Sequence, residues 1–221
     1  MHFEILVEDA SGKILLEHIV PKVMGEGVQQ HSWRIHAYKG IGHLPRNLRG
    51  STDPAKRILL DRLPQLLRGY GKSLHPREQH AVIVVADSDS RPCEAFKREL
   101  LGVLETTEPA PRTLFRIAVE EMEAWLLGDP HAVLTAYPKA RTAPLNDYRQ
   151  DSVCGTWEVL AEAIYPGGAS ELKRRGFPVT GQMKCQWARD IAPFLDIHRN
   201  ASPSFAVFRE SFNKLIGGHP A

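Results

Sequence analysis

A chain of 221 residues, 43% hydrophobic and 24% charged, is long enough to bury a substantial core as one large domain or one domain with an extension. Its net charge of +2 supplies no global basic field of the kind that announces nucleic acid. No apolar run approaches the ~20 residues that span a bilayer, and the three cysteines, Cys93, Cys154 and Cys185, lie far apart without paired spacing, which fits a reducing cytoplasm.

Phe3 to Val7 forms the first strand pattern, not the charged-then-apolar pattern of a signal peptide, and it ends at Glu8 and Asp9. Ser11 and Gly12 lead into a helix with Ile14, Leu15, Leu16, Ile19 and Val20 on its apolar side, which Pro21 is expected to end. Trp33 to Tyr38 is a second strand. It opens into the turn Lys39-Gly40-Ile41-Gly42-His43, which could hold phosphate through backbone amides, although its glycine spacing fits no strict phosphate-loop pattern and slightly favours a flexible connection. Asp53-Pro54 caps a helix to about Arg62. Pro64 then restarts a short one with Leu66 and Leu67, stopped by Gly69.

Ala81 to Ala86 is an unbroken apolar, β-branched run. Apolar on both faces, it predicts a central strand of a parallel sheet covered by helices on both sides. A helix from about Arg91 to Leu104 and a fourth strand, Thr113 to Val119, follow. Strands alternating with helices predict βαβ units with right-handed crossovers, hence a three-layer α/β domain over residues 1–129.

After Gly128 the strands cease, and a helical C-terminal region over 130–221 is expected to pack on the sheet domain. Pro130 to Tyr137 is one short helix, and Arg141 to Asp151 is loop-like. Thr156 to Ile164, Gln182 to Leu195 and Pro203 to Ile216 are further helices. Ser202 caps the last, and its stripe of Phe205, Phe208 and Phe212 reads as core, with Trp125 and Trp157 as packing anchors. The ten histidines form no zinc constellation with cysteine or with each other. Asn200-Ala201-Ser202 matches a glycosylation sequon by chance.

Acids stand where strands end: Glu8 after the first, Asp87 and Asp89 after the third, Glu120 and Glu123 after the fourth. In open α/β sheets ligands bind at those ends. Asp87 and Asp89 alone could simply begin a turn, but three such strand ends on one sheet edge form a more specific pattern. The gathered carboxylates would repel one another without a cation. Mg2+ or Mn2+, hard ions that prefer oxygen, would fit between them and set up in-line attack on a phosphate. If 120–123 is helical, Glu120 and Glu123 share a face and Glu121 is solvated. A nucleotide-sugar metal motif could also use Asp87-Ser88-Asp89, but that chemistry does not call for Glu8 or the later glutamates.

The combination of Glu8, Asp87-Ser88-Asp89 and the later glutamates resembles the Toprim arrangement of topoisomerases, primases and overcoming-lysogenization-defect nucleases. More closely, the chain resembles the small Toprim-like family catalogued as domain of unknown function four-two-seven-six. The resemblance is carried by residues 7–13, 85–89, 116–125, 155–158 and 200–205, with Glu123-Ala124-Trp125 and Ser204-Phe205 the specific parts. It implies a metal-dependent nuclease, often encoded beside an ABC-like or recombination-repair-like ATPase in bacterial defence loci. Glu8, Asp87 and Asp89 would hold Mg2+ or Mn2+, and Glu120 or Glu123 would complete the site or position water. Lys184 would stabilise charge on the scissile phosphate. Lys39, Arg46 and Arg49, with Lys173 to Arg175, would track the nucleic-acid backbone. Where related nucleases carry a second acid, four residues after the first glutamate, this chain has Gly12; Ile41 stands where a lysine is expected. The Gly12 departure motivates a second reading, a non-catalytic docking subunit of an ATPase complex.

Overall fold

The computed structural model describes residues 1–45, 58–74, 79–152 and 155–217. Four strands, β1 (His2–Val7), β2 (Ser32–Ala37), β3 (His80–Asp87) and β4 (Thr113–Ala118), form one parallel sheet in the order β2-β1-β3-β4. The register aligns Val7 with Ala37 and Val85, and Asp87 with Ala118. All four strands therefore end at the same edge, and the loops carrying the acids share it. The fold is the expected α/β class: a parallel sheet covered by helices on both faces, followed by a helical C-terminal region.

Alternation along the strands divides the core. Phe3, Ile5, Val7, Ile83 and Val85 face α1 (Ala10–Met24) and the C-terminal helices. Leu6, Val82, Val84 and Ala86 face α2 (Leu59–Ser73) and α3 (Cys93–Glu105). From Ala81 to Asp87 every residue of β3 is buried, as an apolar run covered on both faces requires.

The chain continues through α4 (Glu123–Leu127), α5 (Pro130–Ala136), α6 (Thr142–Asp147), α7 (Thr156–Ile164), α8 (Gly168–Arg175), α9 (Phe177–Ile191) and α10 (Pro203–Ile216). The phenylalanine stripe of α10 is core: Phe205, Phe208 and Phe212 are fully buried. Phe212 meets Phe3 edge-on at 5.0 Å, and Trp125 meets Phe205 at 5.4 Å. Such pairs contribute roughly 0.5–1.5 kcal/mol each beyond their buried area. The first ties the last helix to the first strand, and the second ties it to α4.

Several expected boundaries move. Pro21 does not end α1, which runs to Met24 because Val23 and Met24 are buried; Gly25, at φ 57°, closes it. Pro64 and Gly69 lie inside α2, whose stripe of Leu59, Leu60, Leu63 and Leu67 is buried on both sides of the proline. The expected start at Asp53-Pro54 lies outside the described residues. The loop-like stretch contains α6, α8 was not anticipated, and α9 begins at Phe177, upstream of Gln182, with Gly181 inside it. The turn after β2 is a tied connection: Gly40 N donates to Glu8 O at 3.1 Å, and Leu59 N donates to Gly40 O at 3.1 Å. Among the described residues no helix is long and apolar enough to cross a membrane.

Candidate active site

β1 delivers Glu8 to the sheet edge, and the next residue starts a helix. Asp9 caps α1: its Oδ1 accepts from Gly12 N at 2.7 Å and from Ser11 Oγ at 2.9 Å. Gly12 is buried against this corner. A Cβ there would lie 2.7 Å from Val7 Cγ2 and 3.3 Å from Asp9 Oδ1, so this backbone has no room for an acid at that position.

β3 delivers Asp87 and Asp89. Asp87 is buried, whereas the Asp89 side chain is 53% exposed and stands 3.7 Å from Arg91. The loop after β3 is stitched to the loop after β4. Ser88 N donates to Ala118 O, Asp89 N to Glu120 O, and Glu120 N to Ser88 Oγ at 2.8 Å. Asp89 at φ 49° and Glu120 at φ 62° both hold left-handed backbone, which costs a non-glycine residue about 1–2 kcal/mol. The stitching bonds offset that cost.

Glu120 does not share a helix face with Glu123, because it precedes α4 in this left-handed turn. Its carboxylate accepts the backbone N–H groups of Gly155 and Thr156, the latter at 2.7 Å. Both oxygens thus cap α7. Glu121, expected in solvent, is instead drawn in: its Oε1 accepts from Lys184 Nζ at 3.0 Å. The same ammonium lies 3.1 Å from Glu123 Oε2, an ion pair without hydrogen-bond geometry. Lys184 reaches them from α9, across 63 residues of sequence.

Burial, followed by the carboxylates of Asp89 and Asp9, pushes Glu8 up to about 7. Asp87 is raised well above the usual carboxylate range by burial first and by Glu8 second. Glu123 rises to about 8, again chiefly through burial, with Lys184 opposing. Burial works against the charge of Lys184, but Glu123, Glu121 and Asp87 outweigh it and hold the ammonium protonated. The structure thus gathers Glu8, Asp9, Asp87, Glu121 and Glu123 around one lysine, with Asp89 beside Glu8 and Arg91.

Comparison with protein-family models gives no match, and neither does comparison with curated proteins. Among solved structures, the C-terminal region of the Xanthomonas campestris pv. campestris OLD protein is similar at a TM-score of 0.41 and 14% identity, over 99% of this chain and 97% of that one. A likeness of that degree carries no argument, and the chain's own geometry has to bear the weight.

The donor chemistry fits a hard divalent cation. Glu8 Oε2 and Asp87 Oδ1 are buried oxygens with no hydrogen-bond partner among the described residues. An all-carboxylate set of this kind suits magnesium or manganese. Among the described residues, however, no three His, Cys, Asp or Glu side chains are drawn close enough to hold one ion, and the positive charge among the buried acids is that of Lys184. Lys39 is exposed in the turn whose Gly40 amide bonds Glu8 O. Arg46 and Arg49 lie outside the described residues. Sequence reasoning missed Glu121 and Asp9 as neighbours of Lys184, since their approach depends on how α9 and α1 cross the sheet edge.

Proposed function

We propose that the chain is a Mg2+- or Mn2+-dependent nuclease hydrolysing phosphodiester bonds in DNA or RNA. The observation that supports this best is the pair of orphaned buried oxygens, Glu8 Oε2 and Asp87 Oδ1, on adjacent parallel strands facing a protonated lysine. Glu8, Asp87 and Asp89 would hold the ion, with Glu123 completing the set. A bound divalent ion supplies Lewis-acid polarisation of a phosphoryl oxygen and a water-derived nucleophile at neutral pH. The chain's own contribution is charge and position. Lys184 donates to a non-bridging phosphate oxygen as negative charge builds there, while Glu121 holds its Nζ in place. Glu120 fixes the loop beside Asp89 and caps α7. Exposed Lys39 lies beside the site for backbone contacts.

The resemblance to the Toprim-like family extends the proposal to a cytoplasmic effector of bacterial anti-phage defence working with an ABC-like or recombination-repair-like ATPase. The test is cleavage of DNA and RNA pools with Mg2+ or Mn2+, by the chain co-expressed with its genomic neighbour, beside the Asp87→Ala/Asp89→Ala variant. Cleavage by wild type and not by a folded variant is the expected result; cleavage by both sinks the assignment. The packed position of Gly12 favours one alternative, a non-catalytic docking subunit of the ATPase. That reading predicts a stable complex without metal-dependent cleavage.

A further inference from the structure

Phe177 is 88% exposed, the most exposed large apolar side chain among the described residues. It is the first residue of α9, and it follows the basic last turn of α8, Lys173-Arg174-Arg175. Those three side chains are more than half exposed. Their partners are Glu158 for Lys173, at 3.1 Å, and Glu171 for Arg174 and Arg175. Exposed pairs of this kind are weak and exchange readily for phosphate.

Phe177 and Lys184 are seven residues apart on α9, hence on one face and about 10 Å apart along the axis. Between them on that side stands Gly181. A Cβ at Gly181 would meet no described atom within 4 Å, so no neighbour needs the missing side chain. Glycine inside a helix is unfavourable relative to alanine. A bare strip of backbone therefore runs from an exposed aromatic ring, flanked by cations, to the ammonium that faces the acids.

We propose that this face of α9 is the substrate track: an unpaired nucleobase stacks on Phe177, the sugar-phosphate backbone crosses at Gly181, and the phosphate to be cut lies at Lys184. The proposal rests on the nuclease reading above and narrows its substrate to nucleic acid with an unpaired base near the cut, either a single strand or a frayed end. Base stacking on an aromatic side chain is tolerant of sequence, since every base has a π face. The cations of α8 add salt-dependent, sequence-independent affinity.

The experiment uses the full chain with single-stranded oligonucleotides carrying 2-aminopurine, whose emission falls on stacking, and with a blunt duplex of the same sequence. Binding is read by anisotropy, stacking by emission, and cleavage on gels with Mn2+. Wild type is expected to bind the single strand more tightly than the duplex and to quench the probe. Phe177→Ala should lose quenching and about tenfold in affinity, Phe177→Trp should keep both, and Gly181→Gln should bind more weakly by blocking the track. Phe177→Ala and Gly181→Ala should melt no lower than wild type, because neither position packs against the core. If wild type cleaves and Phe177→Ala binds, quenches and cleaves equally well, the track is wrong while the nuclease reading stands. If wild type shows no preference for the single strand and does not quench the probe, the track is wrong, while the nuclease reading is decided by cleavage in the co-expressed complex. Altered sedimentation of Phe177→Ala with unchanged oligonucleotide binding would make the ring a contact between copies and also overturn the track.

Discussion

Lys184 Nζ stands 3.1 Å from Glu123 Oε2, and both side chains are almost entirely withdrawn from solvent. Removing one member of a buried ion pair leaves the other charge without compensation, which costs about 3–5 kcal/mol. Here Lys184 also serves Glu121 and faces Asp87. Lys184→Met should therefore destabilise the metal-free protein by about 3 kcal/mol or more at pH 8. The loss should shrink at pH 6, where Glu123, pushed up to about 8 by burial, can take a proton instead. Urea melts at the two pH values check this, and an equal loss at both would show that the lysine contributes packing and not charge.

The acids themselves set the sign of a second effect. Glu8 is raised to about 7 and Glu123 to about 8, in each case by burial first, from an ordinary value of 4.5. The folded chain thus binds these protons more tightly than the unfolded one. Their contribution to stability is fully present below about 4.5 and is lost as pH rises through 7 to 8. In EDTA the melting temperature should fall between pH 5 and pH 8. Mg2+ or Mn2+ should restore more of it at pH 8 than at pH 5, because a cation binds the ionised acids. Calorimetry across that range decides the matter; a melting temperature in EDTA that rises from pH 5 to pH 8 contradicts it.

What could be read from sequence follows from how local the signal is. β3 was legible because Ala81 to Ala86 is apolar on both faces, and α10 because Ser202, Pro203 and three phenylalanines mark its start and its buried side. The strand-end positions of Glu8, Asp87 and Asp89 followed from the strands. The run through Pro21 and Pro64 was not legible, since the reason is burial of Val23, Met24 and Leu67 against distant elements. Nor was the left-handed turn at Glu120, which depends on Ser88 Oγ and on Gly155 and Thr156 thirty or more residues away. The side of the chain on which Glu121 would lie depended on Lys184, and therefore on the crossing of α9.

The capping by Glu120 has a separable consequence. Its carboxylate satisfies two N–H groups at the start of α7. Loss of a helix cap costs about 0.5–2 kcal/mol. Glu120→Ala should fall near the top of that range, because it also places alanine in left-handed backbone. Glu120→Gln keeps an acceptor oxygen and should lose less. Denaturant melts of the two variants provide the measurement. Equal stability of Glu120→Ala and wild type would leave this glutamate free to complete the site or position water, the role expected from sequence.

The stretches Glu123-Ala124-Trp125 and Asn200 to Phe205 meet at one joint. Asn200 Nδ2 donates to Trp125 O at 2.7 Å, Asn200 Oδ1 accepts from Ser202 N at 3.0 Å, and Trp125 Nε1 donates to Ser204 Oγ at 2.9 Å. Gly128 lies against the same amide: a Cβ there would come within 2.1 Å of Asn200 Oδ1. Asn200→Ala leaves a buried carbonyl and a buried amide without partners, at about 1–3 kcal/mol each. The melting temperature should drop by roughly 4–24 °C, at 2–4 °C per kcal/mol for a chain of this size. Gly128→Ala should be destabilising through overlap instead of lost bonding, and in the Asn200→Ala background its added cost should largely vanish, because the colliding amide is gone. A double-variant cycle on thermal melts tests this coupling. If the two losses simply add, Gly128 and Asn200 act independently, and the joint does not hold the start of α10 against α4 in the way the contacts indicate.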